Sequence, residues 1–97
     1  MNIERGSIAP PGSFTDGTET FLNVAAALNS ATSIPCSYVL VQADPDNTID
    51  ILIGNATTQS IQLVPGQSVG IWIDDVNKVY RTAASATSSR ANWWVFP

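Results

Sequence analysis

Residues 49–53 read Ile-Asp-Ile-Leu-Ile and residues 69–73 read Val-Gly-Ile-Trp-Ile, so a β-branched aliphatic recurs at every second position. Period two is the repeat of an extended strand, whose successive side chains point to opposite faces. No helix can place such a set on one side. Turn chemistry interrupts these runs: Asp44-Pro45-Asp46-Asn47-Thr48, Gly54-Asn55, Pro65-Gly66 and Asp74-Asp75. Pro65-Gly66 suits a type II turn, which wants proline first and a positive φ second. Further strands are predicted at residues 38–43, 61–63, 78–82 and 92–96, with a loop of small residues from Ala83 to Ser89. Residues 19–28 fit helical spacing through Phe21, Val24, Ala25 and Leu28, and strand alternation through Thr20, Leu22 and Val24. We read them as a strand because everything after them is β. The sum is an all-β chain: a small antiparallel β-sandwich or barrel of six to eight short strands with an extended N-terminal arm.

The arm is placed at residues 1–17, where Pro10-Pro11 removes two backbone donors and favours an extended path. Ile3, Ile8 and Phe14 are its candidate anchors to the domain or to a neighbour. The remaining residues, 18–97, form the β-sandwich domain. A chain of 97 residues supports one modest core and no second domain.

The expected core face carries Val39, Val41, Ile51, Ile53, Ile61, Leu63, Val69, Ile71 and Ile73. Alternation puts Leu40, Leu52 and Trp72 on the opposite face. In the last strand both registers are apolar, Trp93 and Val95 against Trp94 and Phe96, and both cannot occupy one core face. Either the second set lies under the arm or at a bulge, or it forms a surface buried against another chain, where aromatic residues concentrate. Ile3, Ile8, Phe14, Trp72, Trp94 and Phe96 are therefore the candidate partner contacts, and the chain is expected to form a homo-oligomer.

Several chemistries lack their residues. The sequence has no histidine and one cysteine, so Ser-His-Asp and Cys-His triads, imidazole–zinc sites and thiolate clusters are excluded. Cys36 reads as a small packed hydrophobe. No phosphate-binding glycine motif occurs. Asp44-x-Asp46-x-Thr48-x-Asp50 has the spacing of a calcium loop, but Ile49 and Asn55 occupy its diagnostic glycine and glutamate positions. It reads as an acidic turn. Asp74 and Asp75 read as backbone-bonding turn residues. Asn55-Ala56-Thr57 matches the glycosylation pattern by chance in a chain without an evident export signal. Neither a cofactor nor a metal is expected, and the chain is not read as an enzyme. With net charge −4 and four scattered cations, neither nucleic acid nor an anionic membrane is an expected partner.

Residues 35–94 carry the ordered series Pro35-Cys36, Tyr38 to Ala43, Asn47-Thr48, Ile51-Leu52-Ile53-Gly54-Asn55, Leu63-Val64-Pro65-Gly66-Gln67-Ser68, Ile71 to Tyr80 and Trp93. This series resembles a group of small β-sandwich structural proteins in the virions of tailed bacteriophages. The resemblance implies a virion structural protein made in the host cytoplasm. It implies first a capsid decoration (cement) protein on the capsid surface, bound to the major capsid protein or another virion protein. The alternatives are a glycan- or receptor-binding module of a fibre or spike, using Trp72, Trp93 or Trp94, and a neck or tail subunit. No catalytic residues are implied.

Overall fold

The computed structural model describes residues 15–20, 24–84 and 89–97. Eight strands run in chain order: β1 Thr15–Thr20, β2 Ala26–Ala27, β3 Tyr38–Ala43, β4 Ile51–Gly54, β5 Ile61–Leu63, β6 Ser68–Trp72, β7 Tyr80–Ala83 and β8 Arg90–Phe96. They form two four-stranded antiparallel sheets, β1-β8-β3-β6 and β2-β7-β4-β5. We call these the first and second sheets.

The pairing is nested. β1 pairs with β8, β2 with β7, β3 with β6 and β4 with β5. The chain is thus one long hairpin whose successive pairs fall alternately in the two sheets. Pairs β3–β8 and β4–β7 knit each sheet together. This topology defines an eight-stranded jelly roll, the double-sheet solution that leaves few edges open.

Alternation decides what lies between the sheets. Val39, Val41 and Ala43 of β3, and Ala91, Trp93 and Val95 of β8, point inward and are buried. Ile51, Ile53, Leu63 and Ala83 meet them from the second sheet, with Leu28, Val76 and Val79 filling the ends. Each large aliphatic removed from water contributes about 1.5–3 kcal/mol. The ambiguity of the last strand is resolved by register: Trp93 and Val95 face the core at 3% and 2% exposure, while Trp94 and Phe96 point outward, half-buried.

Four expectations need correction. The sheet takes in residues 15–17, which pair with Val95, Trp94 and Trp93, so they belong to β1 and not to an arm. Residues 1–14, with Ile3, Ile8 and Phe14, lie outside the described residues. Residues 19–28 are not one strand: β1 ends at Thr20 in the first sheet, and the two-residue β2 lies in the second. The chain passes from one sheet to the other between them, so the two segments are separate strands. The strand expected at 78–82 starts later, at Tyr80, because residues 76–78 form a 3-10 turn ahead of β7. Ile61 is 39% exposed, because β5 is an edge strand and its inward face meets an incompletely filled side of the sandwich.

The two long sides differ. On one, Glu19 of β1 ties the sheets together, accepting from Arg81 Nε and Nη2 of β7 at 3.3 Å, from Trp93 Nε1 at 3.3 Å and from the Asn29 amide at 3.0 Å. Glu19 and Arg81 side chains are each 11% exposed. On the other side, edge strands β5 and β6 flank an open cleft. No helix among the described residues is long and apolar enough to cross a membrane.

Candidate functional site

The outer face of the first sheet carries the candidate site. Register places its side chains in cross-strand rows. In the first row Tyr38 of β3 stands opposite both Trp72 of β6 and Phe96 of β8. The ring centroids of Tyr38 and Trp72 are 4.7 Å apart at 60°, and those of Tyr38 and Phe96 are 5.9 Å apart at 54°. Tilted pairs at such distances are the favoured aromatic geometry. The second row is Gly70, Leu40, Trp94 and Asp16. The third is Ser68, Gln42, Asn92 and Thr18.

Gly70 allows the first row to form. A Cβ there would fall 1.6 Å from Tyr38 Oη, so the tyrosine lies over a strand position that has no side chain. Tyr38 occupies that space and braces Trp72, which remains 81% exposed. Adjacent strands lie about 4.8 Å apart and alternate residues about 7 Å apart. Two rows over three strands therefore give an apolar patch on the order of 10 Å by 7 Å.

The polar end of the face is internally satisfied. Thr18 Oγ1 donates to Asn92 Oδ1 at 3.0 Å, and Asn92 Nδ2 donates to Asp44 Oδ2 at 3.3 Å. Arg90 Nε lies 3.4 Å from Asp44 Oδ2. The Asp46 amide, then Asn92 and Arg90, hold the Asp44 carboxyl below the usual carboxylate range. The polar rows spend their bonding on each other. The aromatic rows end at an exposed indole.

The structure brings together three sequence-predicted contacts, Trp72, Trp94 and Phe96, on this one face. Trp93 is excluded from any surface role by its burial. Tyr38 was missed as a site residue. Its strand was legible, but its place between Trp72 and Phe96 depends on pairing with distant segments.

The other candidate groups are engaged in holding turns. Asp50 accepts from Gln62 Nε2. Asn55 Oδ1 accepts from the Thr57 and Thr58 amides at 2.9 and 2.8 Å. Asp75 accepts from the Ser33 hydroxyl and from the Ile34 and Asn77 amides. These bonds, the Ser33 hydroxyl foremost, lower its pKa. Asp74 pairs with Lys78 Nζ at 2.9 Å. Among the described residues no group of three or more His, Cys, Asp or Glu side chains is placed to hold a metal. Cys36 packs against the core and its Sγ donates to the Ile73 carbonyl at 3.2 Å. Desolvation raises its thiol pKa, keeping it protonated.

Fold and face together define a small jelly-roll module with an aromatic outer patch. No family model, curated protein or solved structure matches the chain.

Proposed function

We propose that this chain is a virion structural subunit, a decoration protein that docks on an assembled phage capsid through the outer face of its β1-β8-β3-β6 sheet. The observation that carries the reading is Trp72, 81% exposed and braced by Tyr38 in line with Phe96. An exposed indole held in place by packed neighbours is a ready anchor for a partner, because tryptophan and tyrosine are enriched among interface hot spots. The jelly roll is a recurrent architecture of capsid proteins. Fold alone does not fix function, and the choice of a phage capsid rests on the sequence resemblance over residues 35–94. A cement protein stabilises the particle by binding its assembled form in preference to free subunits.

Cryo-EM of purified particles containing this chain tests the reading. Density for the jelly roll on the capsid lattice, with the Trp72 face inward, is the expected result. Absence from the lattice, or density only at the neck or tail, removes it. Trp72→Ala is expected to lower particle affinity at least about 30-fold, the loss of one hot spot of about 2 kcal/mol.

A second reading, a glycan-binding module, draws on the same indole, whose exposed face can stack on a sugar ring. Titration with host surface glycans, followed by tryptophan fluorescence, separates the two. A saturable shift abolished by Trp72→Ala favours the glycan.

A further inference from the structure

We infer that two copies of this chain associate side to side through the edge strands β5 and β6. This goes beyond the capsid contact: that contact uses the outer face of the first sheet, this one the free backbone edges of β5 and β6 and the cleft between them.

Residues 51–73 contain no charged side chain. They span β4, β5, the Pro65-Gly66 turn and β6, and so include one edge of each sheet. The flanking charges are Asp50, tied to Gln62, and Asp74, tied to Lys78. Natural edge strands are usually guarded by lysine, proline or a bulge against pairing with another chain. Neither Ile61–Leu63 nor Ser68–Trp72 contains a charge or a proline. Of the four large hydrophobics exposed among the described residues, Ile61 and Val64 lie on this edge and have no part in the capsid contact.

Between the two edges lies a cleft of about 280 Å³. Ile61, Ile71, Ile73 and Val79 give it apolar walls, and Thr58 and Ser60 stand among its polar lining. The opposite side of the sandwich is fastened by Glu19, Arg81 and Trp93. Here nothing comparable joins the edges among the described residues.

Charge selects the occupant. The chain has net charge −4, so copies repel over most of their surface. On the β5–β6 side the strands carry no charge, and Lys78, which lines the cleft, is paired with Asp74, so two like-charged copies can meet there with little of that cost. A two-fold arrangement sets this side against itself, because the same patch serves both partners. Edge backbone unpaired among the described residues then finds donors and acceptors in the other copy, and exposed Ile61 and Val64 leave water.

The test is sedimentation equilibrium of the full chain without particles. A concentration-dependent dimer is expected. Ser60→Lys/Ser68→Lys and Ser60→Asp/Ser68→Asp alter only exposed serines on this side. Each variant alone is expected to dimerise at least about tenfold more weakly, from like charges brought together, and their mixture to recover a dimer. Circular dichroism checks that both variants fold. On the unmodified chain, hydrogen exchange at Ile61–Leu63 and Ser68–Trp72 is expected to slow as concentration rises. A wild-type monomer at about millimolar concentration, or a dimer indifferent to both charge variants, overturns the inference. Particle density and solution dimerisation are read separately, so either proposal can fail alone.

Discussion

Single side chains set the fit of the two sheets. The indole of Trp93 fills the space over Gly17, where an added Cβ would lie 2.2 Å from the ring. Gly17→Ala must displace a core tryptophan, and we expect a loss of about 1–3 kcal/mol by urea unfolding. A second local constraint is backbone strain. Asn29, Ser30 and Ala31 all have positive φ, at 56°, 51° and 65°, in the left-handed region that costs most side chains about 1–2 kcal/mol each. Bonds from the Asn29 amide to Glu19 and from Asn77 Nδ2 to the Ala31 carbonyl hold this turn. Ala31→Gly is expected to raise stability by up to about 1 kcal/mol, measured as a higher urea midpoint. Neither feature was legible beforehand. The sequence shows Trp93 as apolar, but the glycine beneath it is 76 positions away, and nothing local marks Ala31 as left-handed.

At the scale of elements, legibility followed locality. Residues 38–43 and 61–63 were read with the boundaries the structure has, because alternation and turn residues both act within a few positions. Pro65-Gly66 behaves as its chemistry demands: Gly66 has φ 88° and the Gln67 amide donates to the Val64 carbonyl at 2.9 Å. Where tertiary structure overrides local pattern, the reading failed. Lys78 to Thr82 reads as a strand, yet β7 begins only at Tyr80, because residues 76–78 form a 3-10 turn that buries Val76 and whose Asn77 amide is held by the Asp75 side chain. Residues 19–28 fail for a similar reason, because a sheet change leaves no local trace. The outer aromatic row lies between these cases. Its members were named, all but Tyr38, but their union in one face came from the β3–β6 and β3–β8 registers. Asp75→Ala, which leaves three donors from Ser33, Ile34 and Asn77 without their acceptor, is expected to lower the melting temperature, with Asp75→Asn intermediate.

For the whole molecule, nesting makes every sheet depend on distant segments. β8 lies inside the first sheet, between β1 and β3, so a chain lacking residues 90–97 is expected to remain unfolded by circular dichroism. Such non-local pairing also predicts slow folding, on the millisecond-to-second scale, observable by stopped-flow tryptophan fluorescence. Stability should follow the carboxylates. Asp44, Asp74 and Asp75 are all held below their ordinary pKa, chiefly by the Asp46 amide, Lys78 and the Ser33 hydroxyl respectively. A lowered native pKa contributes stability that is complete above the unfolded value, near 3.9, and is lost as pH falls through the native value. The urea midpoint is therefore expected to hold from pH 7 to about 5 and to fall below about 4.

The antiparallel partnership of Thr15 with Val95 brings the start and finish of the roll to one pole, beside Phe96. A fluorophore, affinity handle or fused domain attached after Pro97 would crowd the Trp72–Tyr38–Phe96 row. Labels meant to leave that row accessible belong elsewhere, such as the exposed turn at residues 55–58.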